Sequence, residues 1–175
     1  MIPILPAALA TGPLSFDGIP VNAIIVVKWL HVLSSTLLFG TGVGSAFYLF
    51  FVSRTRDVHA VAVVSRFVVI ADWCFTATTI VFQPLSGFWL LHRMGYPPAA
   101  RWVWWATGLF VLAALCWLPV VWLQMRLRDV ARAADVAGRE LPPAYWNYFG
   151  WWVALGVPAF VFFLAVFYLM VARPA

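Results

Sequence analysis

Charge is what this chain has least of. Only 10% of its 175 residues are Asp, Glu, Lys or Arg, against 65% hydrophobic, and the mean hydropathy is +0.94. A water-soluble domain needs roughly a quarter of its residues charged to cover its surface, so that class is excluded. The signatures of common soluble enzymes are missing too: there is no Gly-rich phosphate loop, no nucleophile elbow and no HExxH. The two cysteines, Cys74 and Cys116, form no CxxC and fall inside apolar stretches, where buried, inert thiols are expected. The four methionines are scattered and make no Met/His/Cys cluster for copper. The net charge of +5 is not a nucleic-acid footprint, because the arginines are spread between apolar stretches and form no patch.

What is present is a set of four apolar stretches near Ala23–Val52, Phe67–Leu91, Trp102–Met125 and Phe149–Val171. Each is long enough to span a bilayer, since about 20 residues rising roughly 1.5 Å each cross the hydrocarbon. The expected architecture is all-α: one four-helix transmembrane domain over residues 23–175, preceded by an extracytoplasmic lead-in over residues 1–22. That lead-in, Met1–Asn22, has four prolines, one Asp and no Lys or Arg. It therefore lacks the basic start of a signal peptide and is expected to be retained.

The arginines orient the bundle. Arg54, Arg56 and Arg66 flank the first connection, and Arg126, Arg128, Arg132 and Arg139 the third. Arg93, Arg101 and Arg173 lie on the other side. Seven against three puts connections one and three in the cytoplasm and both termini outside, as in a bacterial inner-membrane protein. The third helix is expected to continue into the cytoplasm, with Asp129, Arg132, Asp135 and Arg139 at paired helical spacing and Gly138 ending it. Pro84, Pro119 and Pro158 interrupt the last three spans, where kinks either improve packing or open room for a cavity.

Three ionisable residues sit inside the apolar stretches: Lys28, His31 and Asp72. Charges at such depth are costly and commonly mark an interior site. At 100° per residue, Lys28, His31, Ser35 and Gly42 share one face of the first helix. Thr36, Gly40 and Gly44 form a second face, a small-residue stripe suited to helix contact. In the second span, Asp72, Thr76, Thr79, Gln83 and Ser86 fall on one line and must face the interior. That stripe reads either as a polar path for protons, carried mainly by Asp72 and Gln83, or as hydrogen-bonding glue between helices. His31 reads either as an interhelical hydrogen-bond partner or as an axial ligand for b-type haem. For haem, Lys28 would meet a propionate and Gly42 would leave room for the macrocycle. His92, at the outer end of the second span, is the candidate second ligand.

KWLHVLSSTLLFGTGVGSAFY, ADWCFTATTIVFQPLSGFWL, CWLPVVWLQMRLRD, ELPPAYW and LGVPAFVFFLAVFYLMVARP together resemble an uncharacterised bacterial family of predicted integral membrane proteins (domain of unknown function 2269). The likeness covers nearly everything after Asn22 and implies the membrane location without an activity. Lys28-Trp29-Leu30-His31 also looks like the opening of the HemJ-type haem-binding membrane proteins. That resemblance implies roles for Lys28 and His31 in haem binding or activity. It stops early, because Phe47-Tyr48-Leu49 and Ser53-Arg54 stand where that family carries Pro-Arg-Leu and a second histidine.

The leading expectation is a small inner-membrane protein with an interior polar site, b-haem-binding or redox-linked, with His31 as iron ligand. The rival is a non-catalytic accessory or assembly subunit, present as a homo-oligomer or within a larger membrane complex. A small proton-linked permease ranks third. The sequence names no reaction.

Overall fold

The computed structural model describes residues 21–97 and 99–173; the side chain of Val21 is not described. The expected lead-in lies outside these residues, apart from Val21 and Asn22, which open the first helix. The described chain is helical without strands: α1 (Val21–Thr55), α2 (Val58–Ala71), a π-helical turn (Asp72–Thr76), α3 (Ala77–Arg93), α4 (Arg101–Val136) and α5 (Pro143–Ala172). Because α2, the π turn and α3 run on without a break, the chain has four helices long and apolar enough to cross a membrane.

The second of these starts nine residues before the apolar run, at Val58 rather than Phe67. The cause is local. Arg56 adopts a positive φ of 59°, and the Asp57 carboxylate then accepts the Ala60 N–H at 3.0 Å as an N-cap. The connection between the first two spans therefore shrinks to Arg56 and Asp57, and Arg66 becomes an exposed helical residue. Asp72 lies well inside the helix, with the 14 residues of α2 before it.

At the other terminators the chain behaves as its residues dictate. Gly138, at φ +60°, ends α4, and the Arg139 N–H reaches back to the Ala134 carbonyl at 3.0 Å. Pro143 sits in the first turn of α5, where a missing N–H leaves no intrahelical bond unmade. The charged end of α4 does not make the expected ladder. Arg128 pairs with Asp129 at 2.8 Å, and Asp135 reaches across to His59 on α2 at 3.1 Å.

One end of the bundle, which carries the α1–α2 and α4–α5 connections, is closed by a contiguous core. Leu49, Val61, Val68, Leu123, Leu127, Ala131, Tyr145 and Trp152 are buried together. Ser53 ties α1 to α5 here, with 2.7 Å between its hydroxyl and that of Tyr145. We call this the arginine-rich end. Along the bundle α4 packs closely on α5, α2 on α4, and α1 on α3. At the opposite end the α1–α3 pair stands apart from α4–α5, with Phe39 bridging to Phe160 and Phe167 at ring distances of 5.5 and 5.3 Å.

Two further expectations fail on the outer surface. Thr36 and Gly40 are exposed, and a Cβ added at Gly40 or Gly44 would meet nothing within 4 Å. The small-residue stripe thus faces away from the rest of this chain rather than seating a neighbouring helix. Cys74 is exposed rather than buried, pointing out from the π turn, and Cys116 is partly buried; both are free thiols.

Candidate functional site

All five residues of the polar stripe are buried: Asp72, Thr76, Thr79, Gln83 and Ser86. They divide into two groups facing different neighbours. The division falls at the π turn, where the Ala77 N–H bonds to the Asp72 carbonyl, five residues back. One extra residue per turn rotates everything beyond it, so the two halves of one stripe look in different directions.

The half beyond the turn meets α1. The Gln83 amide N–H donates to the His31 carbonyl at 2.9 Å and to the Ser34 hydroxyl at 2.5 Å. The Ser86 hydroxyl donates along its own helix to the Phe82 carbonyl at 2.7 Å, which leaves its oxygen to accept. Its neighbour is His31 Nδ1 at 2.7 Å, and with the Ser86 proton on the Phe82 carbonyl the pairing that satisfies both groups puts the ring proton on Nδ1 and a lone pair on Nε2. Among the described residues, Nε2 has no hydrogen-bond partner. Gly87, one residue past Ser86, gives the ring room: a Cβ at that position would lie 3.3 Å from His31 Cε1, close enough to make the ring shift by a few tenths of an ångström.

His31 and Gln83 line a cavity of about 400 Å³ at the end opposite the arginine-rich one. Its walls are apolar, from Leu38, Phe39, Val103, Phe110 and Phe167, and Pro84 also lines it. Lys28 and Arg173 lie at its rim, where Arg173 also hydrogen-bonds the Tyr96 hydroxyl. This is an apolar slot with the His31 imidazole on its wall and two cations at its mouth. Such a site suits an apolar ligand carrying negative charge at one edge.

Three of the four residues assigned to one face of α1, namely Lys28, His31 and Ser35, do line this cavity. Gly42 does not; it lines a second cavity. Three turns separate it from His31, and the space beside the imidazole comes from Gly87 instead. His92 is exposed and does not line the His31 cavity, so the two histidines do not converge. Ser34, Gly87, Tyr96 and Arg173 belong to the site without having been singled out from the sequence. Ser34 alone carried a usable signal, as a polar residue one turn past His31.

The half of the stripe at and before the turn faces the second cavity, about 470 Å³, near the middle of the helices. Asp72 Oδ1 accepts the Thr76 hydroxyl at 2.9 Å, and Gln124 of α4 also hydrogen-bonds the carboxylate. Between the halves, the Thr79 hydroxyl turns back to the Phe75 carbonyl at 2.6 Å. Leu38, Phe39 and Phe163 form the wall common to both cavities. Among the described residues no direct hydrogen bond joins Asp72 and Thr76 to the His31 group, and none brings three His, Cys, Asp or Glu side chains together for a metal ion.

No curated protein matches this chain, and no solved structure does. Residues 25–174 match a family described as predicted integral membrane protein, with four candidate spans in the structure to agree. The chain is a member of this family, DUF2269.

Proposed function

We propose that this protein is a bacterial inner-membrane haem-binding protein, with the His31 cavity as its site and the arginine-rich end in the cytoplasm. The observation that carries the reading is the setting of His31: Nδ1 lies 2.7 Å from the Ser86 hydroxyl, while Nε2 has no hydrogen-bond partner among the described residues and belongs to a ring that lines an apolar cavity. That is the arrangement an axial imidazole needs, with its second nitrogen fixing tautomer and ring orientation. Lys28 and Arg173 would pair with propionates at the rim, and Gly87 would keep the ring plane clear. Gln83 positions His31 through its backbone carbonyl. Haem, when bound, supplies one-electron redox chemistry; the chain's own part is to hold it, exclude water from its apolar faces and set its axial ligand. The seven-to-three arginine bias supports the orientation.

The test is a visible spectrum of protein purified in mild detergent and supplemented with haemin. A Soret band at one haem per chain is expected, lost in His31→Ala with the folded helical protein retained. His92→Ala should leave it intact, because His92 stands outside the cavity. A colourless wild-type protein overturns the proposal.

A second reading, an accessory subunit without chemistry of its own, draws on Gln83, whose amide N–H groups are spent on bonds across to α1. The outward stripe of Thr36, Gly40 and Gly44 is where a second copy or a partner's helix would approach. That reading expects a stable partner on mild solubilisation and no pigment. Proton permeation along the stripe has less support, because the Thr79 hydroxyl and the Leu38–Phe39–Phe163 wall interrupt the route.

A further inference from the structure

The second cavity has polar requirements that the protein leaves unmet. Three buried side-chain atoms lack a hydrogen-bond partner among the described residues: Trp117 Nε1, Gln124 Oε1 and Trp152 Nε1. All three residues line this one cavity. Gln124 and Trp152 are only 4% and 5% exposed, as is Asp72 at 4%. Unpaired buried polar atoms are costly, so three around one space call for an occupant that satisfies them.

The inventory narrows what that occupant is. The two indoles offer N–H donors and nothing else, so they need an acceptor. The free Gln124 oxygen needs a donor, and the Asp72 carboxylate, with about four acceptor positions, has bonds from Thr76 and Gln124 and capacity for more. A carboxylate or simple ketone would serve the indoles and leave Gln124 unmet. An ammonium would do the reverse. A hydroxyl does both.

The surroundings add shape and route. Phe39, Phe50 and Phe160 line the cavity beside the indoles, and Gly42, Gly156 and Ala159 keep it wide. Its lining also includes Val43 and Phe47 of α1 and Val157 of α5, all exposed on the flank that a bilayer would cover. Access therefore runs from lipid, at mid-depth, between α1 and α5.

We propose that the Asp72–Gln124–Trp117–Trp152 cavity binds the hydroxylated ring of a membrane-soluble hydroquinone, its apolar tail leaving between α1 and α5 into lipid. The ring hydroxyl would donate to Gln124 or Asp72 and accept from an indole, while the aromatic walls take its faces. This site is separate from the His31 cavity, and it stands or falls independently of haem.

The experiment is anaerobic titration of lipid-reconstituted protein with decylubiquinol, followed by tryptophan fluorescence and calorimetry. Saturable binding of one molecule per chain is expected. Gly156→Leu should weaken it at least tenfold by filling the cavity. A Cβ at Gly156 meets nothing within 4 Å, so this variant is expected to fold. Gln124→Met, which removes the free acceptor, should weaken binding about tenfold, and His31→Ala should leave it unchanged. The proposal is overturned by non-saturable uptake, by equal binding in Gly156→Leu, or by binding that His31→Ala abolishes. Water as the sole occupant would appear as no binding at all, and would overturn it too.

Discussion

Where α1 turns into α2 and α4 into α5, the helices close on a continuous core around Leu49, Val61, Leu127 and Tyr145, each of them without exposed surface. At the opposite end the same helices stand far enough apart to leave a cavity of about 400 Å³, spanned by aromatic rings and a few hydrogen bonds from α3 to α1. The difference shows how a small membrane protein divides its labour. In lipid there is little hydrophobic drive between helices, so close packing must hold them together. Concentrating that packing at one end leaves the other free to stay open around polar groups. A bundle packed evenly throughout would have no room for a ligand.

Substitutions can break or sharpen this contrast. The largest effect is expected from Leu127→Ala, which opens a void in the closed core and should cost about 2–5 kcal/mol in reversible unfolding followed by circular dichroism. Leu90→Ala, lining the existing cavity, should cost clearly less; equal losses would erase the proposed division. Tyr145→Phe removes one partner of the buried Ser53 pair while Ser53 keeps its bond to the Leu49 carbonyl at 2.7 Å. A loss of about 1 kcal/mol is expected by the same assay. Gln83→Leu takes away two of the three bonds between α3 and α1 at the open end and leaves the His31–Ser86 pair, for about 0.6 kcal/mol if it behaves like other interhelical polar contacts. Its larger consequence should be spectroscopic: if His31 carries haem, a shifted or weakened Soret band, because the backbone of His31 loses its brace. The smallest effect belongs to His59→Ala. Its bond to Asp135 lies at the surface, with the His59 side chain 76% exposed. Less than about 0.5 kcal/mol is expected, with little further change on adding salt.

Much of this was legible in the residues. The four spans, the burial of the Asp72-to-Ser86 stripe and the stop at Gly138 all follow from apolar length, helical spacing and a glycine that takes positive φ. What periodicity gives is a face; it does not say which neighbour the face meets. That is why Gly42 was assigned to His31 and lies in the other cavity, and why the Thr36–Gly40–Gly44 stripe was given a partner that this chain does not provide. The early start at Val58 had a signal in the Asp57 cap, outweighed by the arginines around it. Arg66 lies on an exposed helical position, where a long side chain extends away from the bundle. The convergence of Gln124, Trp117 and Trp152 on Asp72 joins three helices and has no spacing to betray it, although Gln124 was conspicuous as an uncharged polar residue in an apolar span.

The π turn at Asp72–Thr76 makes the site sensitive to chain length in a way that side-chain chemistry alone does not. It holds one residue more than an α-helical turn would, which sets the phase of α3 against α2. Substitutions within Trp73–Phe75 that let the segment relax into ordinary α-helix would keep its five residues but lose the wide turn. Every position from Ala77 onward would then swing by about 100°. Gln83 and Ser86 would leave His31, although no residue of the His31 site had been changed. Deleting one of its residues at the same time would cancel that swing, so the turn ties the pairing of the cavities to the length of the chain as well as to its side chains.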